Sequence, residues 1–287
     1  MTENLYAKMA SEPTDAPTIK KLGEMELLGT DGHEELGDIS GMTFVGDRFL
    51  VAADTMKRCL RCFDMDREKQ VGRYYSGFRH LGITTIPGNR VAVTSDHEVW
   101  FLRVTEKGDP LLENKIHVKE SCYGIASSGD NLIVCYDPDP GVHILDMKGN
   151  VIKEFETDDE GKNLFVRPSS LAVSPDHNTI YIFDDIKNTV NSLTQDGRVL
   201  GVVDVEEHLS FGSAITVDSA GRVYVCGIET VLLVSFETGT VTRLLGIKDG
   251  IGRPICVAVC DKTQRLFLPS CYSTGIQVYN MSKHTTA

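Results

Sequence analysis

Positive charge is scarce in this chain: 29 lysines and arginines face 41 aspartates and glutamates, giving a net charge of −12 over 287 residues. That balance argues against a broad surface for a phosphate backbone, and so disfavours RNA as a partner, while leaving room for a local basic patch. Tryptophan occurs once, at Trp100, so stacking on bases would fall to residues such as Tyr123, Phe211 and Tyr272. No apolar run approaches the roughly 20 residues that a membrane helix needs, and the opening stretch from Met1 to Lys8 has no run of the secretory kind. The expectation is a cytoplasmic protein whose eight cysteines stay reduced. Catalytic signatures are missing too: no G-x-S-x-G elbow, P-loop or GxGxxG follows a strand and opens a helix.

What the chain has is a repeat. A small residue, an aliphatic anchor and alternating apolar residues recur six times, with anchors at Met42, Ile83, Ile125, Leu171, Ile215 and Val257. The steps between anchors are 41, 42, 46, 44 and 42 residues. A period of about 40–45 residues with several short strands per unit marks a propeller blade. The expected fold is therefore all-β: a six-bladed β-propeller of four-stranded antiparallel blades over residues 19–284, preceded by a flexible tail over 1–18.

Within the units, turn-forming stretches separate the strands, and Gly149, Gly197 and Gly239 occupy one late-turn place that favours positive φ. The sixth unit ends one strand short. The segment near 20–28, with Leu22, Met25, Leu27 and Leu28 among polar residues, is expected to supply that strand and close the ring. Residues just before the anchors are Gly41, Gly82, Gly124, Ser170, Ala214 and Cys256. All are small, as convergence of the innermost strands around a channel requires.

Several segments resemble the NHL repeat. Ile276-Gln277-Val278-Tyr279-Asn280, Val142-His143-Ile144-Leu145-Asp146 and Leu60-Arg61-Cys62-Phe63-Asp64 are similar to its R-[IV]-Q-V-[FY]-[DN] ending. Pro168 to Ser174 followed by Thr179 to Asp184 resembles its opening, and an Asp at the close of the second strand recurs at Asp54, Asp96, Asp137 and Asp184. Units five and six carry Gly227 and Ser270 there instead. The resemblance implies a partner-recruiting propeller like the C-terminal domain of tripartite-motif (TRIM) proteins. The zinc modules of such proteins have no counterpart here. Cys59-Leu60-Arg61-Cys62 is the lone CxxC, and in a strand its two thiols would point to opposite faces.

Catalysis finds little support. Calcium-dependent hydrolases and lactonases resembling gluconolactonase hold their metal with Asn and Asp before the innermost strands; the matching places here are Ser169 and Gly212 or Ser213. Asp54, Asp96, Asp137, Asp184 and Asp185 are expected to serve turns or arginines, and His80, His97 and His208 to be exposed loop residues in unrelated places. No metal and no cofactor is expected.

The variable place four residues before the anchor is informative. It holds Arg79, Arg167 and Arg253 in units two, four and six, against Asp38, Ser121 and Phe211 in the others. If the loops turn alike, three guanidinium groups surround the channel mouth, where they suit carboxylate or phosphate. The alternative is neutralisation by the second-strand aspartates. Lys57, Arg58, Lys187 and Lys248 would extend the patch. These residues point to a non-catalytic module binding a protein or peptide, acidic or phosphorylated, or a small anion; a divergent metal-dependent hydrolase and an RNA binder are the alternatives.

Overall fold

The structure is a computed structural model. It describes residues 16–282 except 30, 120, 138–139, 158–160 and 210–211. Most of the expected tail, and Phe211, lie outside the described residues.

Strand β1 (Thr18–Glu26) comes first. Blade 1 then follows as β2 (Ile39–Val45), β3 (Phe49–Asp54), β4 (Cys59–Asp64) and β5 (Lys69–Tyr75). Blade 2 is β6 (Ile83–Ile86), β7 (Arg90–Ser95), β8 (Glu98–Val104) and β9 (Pro110–His117). Blade 3 is β10 (Cys122–Ser128), β11 (Asn131–Tyr136), β12 (Val142–Asp146) and β13 (Val151–Phe155). Blade 4 is β14 (Pro168–Val173), β15 (Thr179–Asp184), β16 (Thr189–Thr194) and β17 (Val199–Asp204). Blade 5 is β18 (Gly212–Val217), β19 (Val223–Gly227), β20 (Thr230–Val234) and β21 (Val241–Gly246). Blade 6 takes β22 (Ala258–Cys260), β23 (Arg265–Pro269) and β24 (Gly275–Ser282), and β1 completes it in the order β22-β23-β24-β1. All six sheets are four-stranded and antiparallel, as the repeat predicts. No helix among the described residues is long and apolar enough to cross a membrane.

Ring closure pairs Thr18 with Ser282 and Glu26 with Gly275. A bulge between Lys21 and Gly23 interrupts the register and leaves Leu22 52% exposed, so Met25 and Leu27 make the buried contacts. The apolar alternation packs blades against one another. Val51, Leu60 and Cys62 of blade 1, for example, meet Val91, Val93 and Trp100 of blade 2. Each such fully buried aliphatic side chain contributes about 1.5–3 kcal/mol relative to exposure.

The small residues before the anchors are explained by the approach of neighbouring backbones. A Cβ on Gly82 would lie 2.5 Å from the Tyr123 carbonyl oxygen, and one on Gly124 would lie 2.9 Å from the Ser169 carbonyl oxygen. The late-turn glycines adopt φ of 87° at Gly149, 89° at Gly197 and 67° at Gly239, as expected.

Antiparallel order fixes two faces. Connections from an outer strand to the next innermost strand, and hairpins between second and third strands, emerge on one side, the loop face. The first-to-second and third-to-fourth hairpins form the opposite, turn face.

Candidate functional site

The innermost strands enclose a cavity of about 260 Å³, lined by backbone, small residues and the anchors, with Tyr123 and Asp185 as its larger polar members. Its hydroxyls are mostly engaged. Ser40 Oγ donates to the His80 carbonyl (2.7 Å), and Ser170 Oγ accepts the Ile215 N–H (3.1 Å). Ser169 Oγ is buried with no hydrogen-bond partner among the described residues. Asp185 is the one charged residue of this lining.

The three arginines do not behave alike. Arg167 Nε donates to Asp185 Oδ1 at 2.6 Å, a pair formed within blade 4. Arg79 and Arg253 are exposed and form no ion pair among the described residues. Their loops also differ: Arg253 takes φ 43°, and the Arg79 carbonyl accepts the Ser95 hydroxyl. Neither belongs to the channel lining. Arg58, at φ 52°, reaches the Gly77 carbonyl at 3.5 Å, and Lys187 Nζ donates to the Leu164 carbonyl at 2.9 Å. Lys248 lines a separate cavity of about 370 Å³ at blade 5, with His208, Glu229 and Arg243.

The aspartates divide into two kinds. Asp54 and Asp184 do end their second strands and are fully buried. Asp184 accepts the N–H of Val166, Arg167, Ile186 and Lys187. Asp54 accepts the N–H of Asp38 and Lys57 and pairs with Arg61 Nε at 2.9 Å. Asp96 and Asp137, by contrast, lie one residue beyond β7 and β11, so the expected register does not hold in blades 2 and 3.

Arg61 was legible only as part of a repeat ending, yet it centres the strongest charge network of this face. It is fully buried, and donates to Glu35 (2.5 Å), Gln70 (3.0 Å) and the Leu28 carbonyl (2.8 Å) besides Asp54. Arg73 adds bonds to Glu35 (2.8 Å) and to the same Leu28 carbonyl, and Lys57 stands 3.6 Å from Glu35. Burial pushes the Glu35 carboxyl up, but Arg61, Arg73 and Lys57 outweigh it and hold it below its ordinary value. The network ties Leu28, Glu35 and Asp38, in the connection that follows the closing strand, onto blade 1.

The metal-ligand residues are scattered. His80 is not an exposed loop residue as expected: it is fully buried, edge-on to Trp100 at 5.3 Å between ring centroids, and burial lowers its pKa to about 4. His97 is exposed and His208 half-buried. Cys59 and Cys62 are both fully buried, and burial pushes both thiols up to about 12. Among the described residues one trio converges, His143 with Glu154 and Glu156, on the outer strands of blade 3 and its edge.

A second feature escaped the sequence. Outside the strands, the exposed large apolar residues are Leu36, Met56, Phe78, Val166, Ile186, Ile247 and Tyr272. All seven lie on the loop face, and none lies in a turn-face hairpin among the described residues. Phe78 is 57% and Tyr272 61% exposed. A signal was present: Asp54-Thr55-Met56-Lys57 and Asp184-Asp185-Ile186-Lys187 put an apolar residue at the same place in two hairpins where polar residues are usual. Trp100, by contrast, is 2% exposed, with Lys115 Nζ 3.4 Å from its ring centroid, so it offers no stacking surface.

No family model matches the chain, and no curated protein matches it. Solved structures do. A protein of unknown function from Bacteroides thetaiotaomicron superposes with a TM-score of 0.72 at 14% identity, covering 93% of this chain and 76% of that one. A luciferin-regenerating enzyme superposes with a TM-score of 0.65 at 13% identity, covering 93% and 95%. At such identities the likeness establishes the propeller fold.

Proposed function

We propose that this chain is a non-enzymatic recognition module, an NHL-like propeller whose loop face binds a protein or peptide with acidic or phosphorylated side chains. The observation that carries the reading is the one-sided distribution of exposed apolar loop residues. Apolar groups of this size on one face mark protein-interaction surfaces. The same face presents Arg79 and Arg253 without ion-pair partners among the described residues, and guanidinium groups suit carboxylate and phosphate. Arg167 contributes less in this reading, because Asp185 already occupies its Nε.

Fluorescence anisotropy with labelled peptides carrying Asp, Glu or phosphoserine beside an aromatic residue tests the proposal. The Arg79→Ala/Arg253→Ala double variant should weaken binding at least about tenfold, since a charge-assisted hydrogen bond contributes about 1.5–3 kcal/mol. Phe78→Ala should weaken it as well. If no peptide binds even at low salt, or if binding survives the double variant, the reading fails.

One structural neighbour is named as an enzyme, which keeps the metal-dependent hydrolase as the second reading. Against it stands the donor set of the channel, where Asp185 is the single carboxylate and is held by Arg167; calcium takes several oxygen ligands, usually with more than one carboxylate. A thermal shift in calcium that chelator reverses, with about one ion bound per chain, would favour the hydrolase.

A further inference from the structure

The outer strands of the blades are the exposed edges of the sheets, and natural proteins place charge there to prevent pairing between chains. Five of the six follow that rule. Strand β5 carries Lys69 and Arg73, β9 Glu113 and Lys115, β13 Lys153 and Glu154, β21 Arg243, and β1 Lys20, Lys21, Glu24 and Glu26. Strand β17 reads Val199-Leu200-Gly201-Val202-Val203 before its terminal Asp204, with no charge inside it. Leu200 is 50% and Val202 56% exposed.

The backbone of β17 is also available. Val205 donates its N–H to the Asn188 carbonyl (2.9 Å), and the Gly201 carbonyl accepts the Ser192 hydroxyl (3.2 Å). From Gly201 to Val205 the odd-numbered residues therefore face β16, and alternation turns the N–H and C=O of Val202 and Asp204 outward. The bulge between Ser192 and Leu193 leaves Leu200 without a partner residue in β16.

We infer that β17 pairs antiparallel with β17 of a second copy of this chain, about a two-fold axis at Gly201. In that register Leu200 faces Val202 of the other copy, where the outward N–H and C=O of Val202 meet the partner strand. Exposed Arg198, just before the strand, faces exposed Asp204 at both ends, so the segment is complementary to itself in charge as well as in apolar side chains. This pairing is independent of what the loop face binds. Seven paired residues per copy, from Arg198 to Asp204, fall short of the about 1,200–2,000 Å² of standard stable interfaces, so the dimer is weak and concentration-dependent.

Sedimentation velocity over a concentration series reads it directly. The full chain should move from 31.6 kDa towards twice that mass. Val202→Lys should hold it at 31.6 kDa with an unchanged melting temperature, whereas Ile152→Lys on β13 should not alter the series. Gly201→Cys tests the register: a Cβ there meets Phe236 at an ordinary 3.4 Å, and facing residues at the axis approach to about 4.5 Å between Cα atoms, within disulfide range. Mild oxidation should link Gly201→Cys into a dimer but leave Val199→Cys and the unsubstituted chain unlinked. A single-chain mass up to the solubility limit overturns the inference, and so does a dimer that Val202→Lys leaves intact.

Discussion

The two faces of the propeller use their carboxylates differently. On the turn face, Asp64 accepts the N–H of Asp66 and Arg67 and pairs with Arg48 at 2.7 Å. Asp146 accepts the N–H of Lys148 and Asn150, Asp176 that of Asn178, and Asp218 those of Ala220 and Arg222. These groups tie down their own hairpins and leave little to offer a ligand. On the loop face, Asp54 and Asp184 do similar work beneath the surface, while arginines and apolar side chains stand above them. One corner of the loop face is as closed as the turn face: the Arg61 network where the ring shuts.

That corner predicts the largest effect. Arg61→Met would leave Asp54 and Glu35 short of their main partner in a buried site, and breaking a buried pair costs about 3–5 kcal/mol. Urea unfolding should show that loss, and a change under about 1 kcal/mol would mean the network behaves as a solvated surface cluster. Gly82→Ala comes next. Its Cβ would meet a carbonyl oxygen at 2.5 Å and force neighbouring innermost strands apart, an overpacking cost of about 1–3 kcal/mol. The same unfolding measurement decides it.

How much of this could be read beforehand differs between the ring and its faces. Strand alternation and turn glycines are local, so the six anchors located the blades, and the closing strand was placed within two residues of Thr18–Glu26. The faces depend on which loops meet, which periodicity does not encode. Arg167 and Asp185 are 18 residues apart and Arg61 and Glu35 are 26 apart, and no spacing rule links them. His80 failed as an exposed loop residue because the chain before β6 turns it under Trp100. The aspartate pattern slipped in blades 2 and 3 because β7 ends at Ser95 and β11 at Tyr136.

Acid should separate the faces by a smaller margin. Hydrogen bonds from Arg48 hold the Asp64 carboxyl below its ordinary range, bonds from Asn150 do so for Asp146, and bonds from Ser174 and Asn178 bring Asp176 to about 2. A carboxyl lowered by folding adds stability that is fully present above its unfolded pKa, near 3.9, and is lost as pH falls through its folded value. Melting temperature should thus decline from about pH 4 towards pH 2, and Asp64→Asn should flatten part of that decline. An identical acid profile in Asp64→Asn would show that the turn-face bonds do not couple to folding.

The smallest stability effect belongs to the residues on which the proposed function rests. Arg79 and Arg253 are exposed and unpaired among the described residues, so truncating them removes no contact that holds the fold. Surface substitutions of that kind stay within about 0.5 kcal/mol, and the acid profile should match the parent, because neither guanidinium forms an ion pair with a carboxylate among the described residues. Arg167→Ala should cost somewhat more, since it frees Asp185 at the channel, though a half-exposed pair contributes only about 0–1 kcal/mol. The order of the three variants in thermal unfolding is thus fixed before any ligand is known. If Arg79→Ala or Arg253→Ala proved more destabilising than Arg167→Ala, the loop face would be a structural surface like its opposite, and the contrast between the two faces would collapse.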